Sequence, residues 1–191
     1  DTPTLWPQGK LLLIGPEGAG KSHLAQVFAR DHDAEMFQSP HLAPPSGEAK
    51  AVVVEDADTV AGDPAAEEAL FHLHNDVLRR GGLFLMTARM APGQWGIALP
   101  DLLSRMKATA SARLHPPDDA LLAAVLVKHF ADRQLVVPAG LIPWLVSRME
   151  RSLAAARDLA AALDARAMAQ ARPISRGMAA DLLDSRGTDT P

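Results

Sequence analysis

The stretch Gly15-Pro16-Glu17-Gly18-Ala19-Gly20-Lys21-Ser22 constrains this chain more than any other, because it satisfies G-x-x-x-x-G-K-[ST] at every fixed position. Its setting makes it more than a pattern match. Lys10–Ile14 before it is a short apolar run, and Ser22–Arg30 after it repeats apolar residues at helical spacing. A strand, a Gly-rich loop and a helix in that order make a phosphate-binding P-loop. Gly15, Gly18 and Gly20 let the backbone turn tightly and bring its N–H groups onto phosphate oxygens at a helix N-terminus. Lys21 is placed for the β- and γ-phosphates, and Ser22 offers a hydroxyl to Mg²⁺, which keeps several of its waters in such sites. The expected cofactors are therefore ADP or ATP with Mg²⁺. The loop reads phosphates and does not choose between the two nucleotides.

The rest of the chain supplies the elements such a loop needs. Ala34–Phe37 reads as a second strand, and the Pro-rich connection Ser39–Gly47 excludes regular structure. Lys50–Asp58 is β-branched and apolar until it ends in acids, the pattern of a strand buried on both faces whose carboxyl end meets water. Asp63 then caps a helix with Pro64 in its first position, and Ala66, Ala69, Leu70, Leu73 and Val77 form its apolar face. Leu83–Thr87 is another buried strand, Arg89–Pro100 a loop, Leu102–Met106 a short helix and Ala108–Leu114 a fifth strand. The pattern changes at His115-Pro116-Pro117. Beyond it only helical spacings occur: Leu121, Leu122, Val125, Leu126 and Phe130, then Leu141, Trp144, Leu145 and Met149, then Leu153, Leu159 and Leu163, with Ser175 capping a last helix. The expected fold class is α/β: a five-stranded parallel sheet of the P-loop NTPase type over residues 1–115, a small all-helical lid domain over 116–185, and a tail over 186–191.

Composition narrows the function. The 191 residues are 48% hydrophobic, ample for a core, and include no Cys, which excludes a disulfide scaffold and a cysteine nucleophile. No apolar run approaches a membrane span, and Asp1–Gln8 has no basic region followed by an apolar stretch. A cytoplasmic location with no membrane partner is expected. The net charge of −4 argues for little direct nucleic-acid binding.

Glu55 and Asp56 end the third strand where a Walker B pair would hold water on Mg²⁺ and position an attacking water; as bare pattern they are also ordinary solvated turn acids. Arg105 suits a guanidinium reaching a neighbour's γ-phosphate, or a solvated helix arginine. Arg157 suits a phosphate contact from the helical region, or an i,i+4 partner for a carboxylate. His72 and His74, two apart on a helix, face different directions and make no metal pair. Met86, Met90, Met106 and Met149 read as core gap-fillers, and Trp6, Trp95 and Trp144 as packing anchors.

Five motifs in order carry a family resemblance: Gly-Pro-Glu-Gly-Ala-Gly-Lys-Ser-His-Leu, Val-Val-Val-Glu-Asp-Ala-Asp, Leu-Phe-Leu-Met-Thr-Ala-Arg-Met-Ala-Pro, Leu-Pro-Asp-Leu-Leu-Ser-Arg-Met and Ala-Arg-Asp-Leu. From about Leu11 to Leu183 the chain resembles the AAA+ region of the DnaA family of bacterial replication initiators, and most closely its short regulatory branch, the Hda type. The resemblance implies that Gly15, Pro16, Glu17, Gly18, Ala19, Gly20, Lys21, Ser22 and His23 form Walker A, and that Glu55 and Asp56 form Walker B. It places Thr87-Ala88-Arg89 at sensor I, Arg105 as the arginine finger and Arg157 as the sensor II arginine. It implies a regulator that works with the DNA polymerase sliding clamp to promote hydrolysis of DnaA-bound ATP, so the partners are DnaA and the clamp, with homo-oligomers also open. Three departures stand beside it. A Glu replaces the usual Asp in the metal-side position of Walker B; Ala88 and Arg89 occupy a sensor position that is polar or acidic in initiators; no clamp-binding peptide is visible in Asp1–Pro7. Weak hydrolysis by this chain itself is expected, as is the absence of a DNA-binding domain after Leu183. The alternatives are the AAA+ core of an initiator or helicase loader binding single-stranded DNA, and a small-molecule kinase.

Overall fold

The structure is a computed structural model that describes residues 6–45 and 49–187. Expectations on Asp1–Leu5, on Ser46 and Gly47 of the Pro-rich connection, and on 188–191 of the tail lie outside the described residues. The chain divides into two compact units, Asp1–His115 and Pro116–Pro191.

The first unit runs β1 (Lys10–Ile14), α1 (Lys21–His32), β2 (Glu35–Gln38), β3 (Ala51–Glu55), α2 (Pro64–Arg79), β4 (Leu83–Ala88), α3 (Pro100–Lys107) and β5 (Ala110–Arg113). The strands form one parallel sheet in the order β2-β3-β4-β1-β5. A parallel sheet has to be covered on both faces, and the period-two alternation of the strands divides the apolar residues between two cores. Leu12, Ile14, Val52, Val54, Phe84 and Met86 meet Leu70, Leu73 and Val77 of α2 and Leu102 and Met106 of α3. Leu13, Val53 and Leu85 point the other way, onto Ala25, Phe28 and Ala29 of α1.

Helix α2 starts as its sequence dictates. The Asp63 carboxylate accepts from the backbone N–H groups of Ala65 and Ala66, and Pro64 occupies a first-turn position where it loses no hydrogen bond. Its buried stripe holds Ala66, Leu70, Leu73 and Val77 as the spacing predicts, but also Glu67 and His74. The fifth strand is shorter than expected. Ala108 closes α3, and the Thr109 hydroxyl donates back to the Arg105 carbonyl at 2.9 Å, so pairing begins only at Ala110. Met90 is 42% exposed and fills no core gap, whereas Met86, Met106 and Met149 are buried.

The second unit is helical throughout: α4 (Asp119–Asp132), α5 (Leu141–Val146), α6 (Leu153–Gln170) and α7 (Arg176–Gly187). Leu122, Leu126 and Phe130, four apart on α4, pack with Leu141 and Leu145 and with the Ala156, Leu159, Ala160 and Leu163 face of α6. The alanines of α6 bring the backbones close. Leu121, assigned to the same apolar face by spacing, is 47% exposed on the neighbouring side of α4. Trp144 is a half-buried ring, with the guanidiniums of Arg148 and Arg176 4.7 and 4.9 Å from its centroid.

Candidate nucleotide site and its surroundings

The carboxyl ends of β1, β3 and β4 bring the first set of candidates together. Gly15 leaves the end of β1 between its two neighbours: its N–H donates to the Ala88 carbonyl of β4 at 3.1 Å, while Leu114, just after β5, donates to the Ile14 carbonyl at 2.7 Å. There is no room here for a side chain. A Cβ on Gly15 would lie 2.6 Å from the Leu114 carbonyl oxygen, inside any tolerable contact. At the other end of the loop Gly20 sits at φ 92° as the N-cap of α1, a left-handed conformation that costs glycine least, and no side chain caps that helix. The open N-terminus of a twelve-residue helix therefore faces the loop. Lys21 is buried, and its ammonium donates to the carbonyls of Gly15 and Pro16 at 2.8 and 2.9 Å. Ser22 and His23 follow it, both exposed.

Glu55 ends β3, two strands across from β1 and so about 10 Å away. Its Oε1 is buried without a hydrogen-bond partner, an arrangement that leaves a desolvated carboxylate oxygen. Asp56 follows in a left-handed conformation, φ 50°. Its backbone N–H donates to the Thr87 hydroxyl at 2.9 Å, and its Oδ2 accepts from Gln38 Nε2 at 3.0 Å. Thr87 is buried, so its hydroxyl orients the Asp56 backbone. Asp58 was not singled out by the sequence reading, yet its Oδ2 accepts from the Arg89 N–H at 3.2 Å, tying the turn after β3 to the end of β4, and its Oδ1 is buried and unpartnered. The run Glu55-Asp56-Ala57-Asp58 carried the signal: two acids two apart beyond a buried strand.

Arg105 is not at this end of the sheet. Helix α3 leads into β5 at the register Leu11↔Ala110, so Arg105 lies by the amino ends of the strands, about 15 Å from the loop along β1. It is exposed, with its guanidinium 5.0 Å from the centroid of Phe71 on α2. Lys10, the first residue of β1, is buried nearby, and its ammonium is held below its ordinary pKa by burial and then by the Arg105 charge. His74 completes this region. It is 1% exposed, its ring meets Phe84 edge-on at 5.5 Å, and its Nε2 has no partner. Burial pushes its pKa down to about 4; the Asn75 side chain opposes the shift, and Lys10 and Arg105 add to it. Arg157 belongs to the other unit, exposed on α6, with its Nε on the Asp158 carboxylate at 2.9 Å.

The donor set at the loop fits a nucleotide with Mg²⁺. A loop that excludes a Cβ, an uncapped helix N-terminus, a lysine held at its base and an orphaned carboxylate oxygen on β3 are what phosphate and a hydrated cation require. Among the described residues no three His, Asp or Glu side chains converge on one point, so phosphate and water would supply most of the metal's ligands.

No family model matches the chain. It is 26% identical over 167 residues to the chromosomal replication initiator protein DnaA of Sphingopyxis alaskensis, a match that covers 75% of this chain. Domain III of the Thermotoga maritima replication initiation protein DnaA superposes with a TM-score of 0.80 at 16% identity, covering 92% of this chain and 83% of that one. The chain is similar in sequence to DnaA and has the AAA+ fold of its domain III. AMPPCP-bound DnaA from Aquifex aeolicus superposes with a TM-score of 0.70 at 12% identity, over 85% of this chain and 56% of that one. The chain spans 37% of the length of the curated DnaA it matches. The five parallel strands read from the sequence are those of this DnaA-like domain.

Among the described residues no helix is long and apolar enough to cross a membrane.

Proposed function

We propose that the chain is a nucleotide-binding regulator that inactivates the replication initiator DnaA by promoting hydrolysis of DnaA-bound ATP together with the sliding clamp. The observation that carries this reading is the position of Arg105. It is exposed on the far side of the sheet from the chain's own P-loop, so its guanidinium is available to a nucleotide held by a neighbour and not to the one held in cis. Such a charge lowers the barrier by stabilising the negative charge that spreads over the transferred phosphoryl group.

In this reading the P-loop serves to hold ADP or ATP. Gly15 to His23 cradle the phosphates, Lys21 exchanges its two carbonyl contacts for phosphate oxygens, and Ser22 and Glu55 hold hydrated Mg²⁺ with Asp56 beside them. Mg²⁺ bound there would neutralise phosphate charge. The similarity to an AMPPCP-bound DnaA supports nucleotide binding. Hydrolysis by this chain is expected to be weak, because Ala88 brings no polar group to the position beside Thr87, whose oxygen already accepts the Asp56 N–H.

The test adds the chain to DnaA–ATP with clamp loaded on DNA and follows ADP formation. Acceleration that requires the clamp supports the reading; an unchanged rate rejects it. A second reading, the AAA+ core of an initiator or helicase loader, draws on the same similarity to DnaA. It predicts salt-sensitive binding to single-stranded DNA, which the regulator reading does not require.

A further inference from the structure

Among the described residues Glu67 is the one buried carboxylate of the first unit, 1% exposed on α2, and no cation pairs with it. Its oxygens are spent entirely on backbone. Oε1 accepts from the N–H groups of Gly62 at 3.2 Å and Ala98 at 3.1 Å; Oε2 accepts from Ala98 at 3.0 Å and Leu99 at 2.8 Å. Burial raises its pKa, but the N–H groups of Ala98, Leu99 and Gly62 outweigh that and hold the carboxyl below its ordinary value.

Ala98 and Leu99 are the residues that enter α3. Leu99 is the N-cap of that helix, and a leucine side chain accepts no hydrogen bond, so α3 lacks a cap of its own. An eight-residue helix has little else to fix its direction. We propose that Glu67 is the positioning residue for Arg105: through this carboxylate α2 anchors the two residues that enter α3, a helix with no side-chain cap of its own, and so sets where the guanidinium stands. The inference rests on the reading of Arg105 as a group acting on a partner's nucleotide. Arg105 lies six residues beyond Leu99, about 9 Å along the axis, so a 10° change at the cap displaces it by about 1.5 Å. Misplacements of about 1 Å at a catalytic group cost on the order of 100-fold in rate.

Glu67→Gln keeps the shape, removes the charge and leaves one acceptor for the N–H groups. The clamp-dependent hydrolysis of DnaA–ATP is measured against increasing concentrations of each variant. The expected result is a maximal rate at least 10-fold below wild type, with half-saturation and the variant's own nucleotide affinity within about twofold. A Glu67→Gln/Arg105→Ala double variant is no slower than Arg105→Ala alone. A structural role unconnected with Arg105 would make the two losses multiply, and that result overturns the proposal, as does wild-type stimulation by Glu67→Gln. Amide exchange gives a reading independent of DnaA: Leu99, Leu102 and Leu103 exchange at least 10-fold faster in Glu67→Gln while β1 and β4 keep their protection. Unchanged α3 exchange beside a lost rate also overturns it. Should Glu67→Gln fail to fold, Ala98→Pro removes one donor at an exposed residue and predicts the same loss of rate. If Arg105→Ala stimulates as well as wild type, the reading of Arg105 fails first and this proposal falls with it; if Arg105→Ala is inactive and Glu67→Gln is not, only the proposal falls.

Discussion

Acidification destabilises the first unit through His74, and the size of the effect follows from its surroundings. The imidazole is 1% exposed against Phe84, with Lys10 and Arg105 near it, and its pKa is pushed down to about 4. In the unfolded chain it returns to about 6.5. The unfolded state therefore takes up a proton first as pH falls, and stability that is complete above pH 6.5 is lost on the way down to about 4. Linkage gives a loss of about 2 kcal/mol between pH 7 and 5 and about 3 kcal/mol by pH 4. Glu67 acts in a separate window. Its depressed pKa contributes stability that is present above the ordinary carboxylate value and lost as pH falls below about 4.3 and through the lower folded value. Urea denaturation at pH 7 and 5 is followed through Trp95, buried in the first unit, as the sole tryptophan after Trp6→Phe and Trp144→Phe. In the His74→Leu background most of the loss between pH 7 and 5 disappears. An equal loss with and without His74 refutes the reasoning.

Three further outcomes follow from the same geometry. Gly15→Ala places a Cβ 2.6 Å from the Leu114 carbonyl, so the loop must move, and nucleotide affinity by calorimetry falls at least 10-fold while the sheet's far-ultraviolet dichroism is retained. Asp63→Ala removes the acceptor for two first-turn N–H groups of α2 and costs about 1 kcal/mol in urea denaturation, with nucleotide affinity unchanged. Glu55→Gln leaves nucleotide affinity without metal within about twofold and weakens the increment that added Mg²⁺ confers.

The sheet and its loop were readable because local sequence and tertiary need agree there. The run Lys10–Ile14, the glycines and the helical spacing after Lys21 each specify one conformation, and Asp63-Pro64 starts α2 where the rules of helix entry put it. Glu67 and His74 escaped that logic. They lie seven apart, each next to a core residue, Ala66 and Leu73, so their periodicity matched burial while their residue types suggested solvent. What decides them is three N–H groups delivered from elsewhere in the fold for one, and Phe84 on the sheet face beneath α2 for the other. The shortening of β5 has a similar origin, since Thr109 turns back onto Arg105 in a way its β-propensity conceals. For Arg105 the pattern left two readings open, and only the register of β5 against β1 set it at the end of the sheet opposite the P-loop.

The most direct test of the account is the rate of ATP hydrolysis by DnaA with clamp on DNA in the presence of wild-type chain, Arg105→Ala and Arg105→Lys, with folding and nucleotide binding of each verified. The account predicts acceleration by the wild type, its loss in Arg105→Ala, and at most partial recovery in Arg105→Lys, whose compact ammonium lacks the planar fork of a guanidinium. Equal acceleration by all three, or none by the wild type, contradicts it.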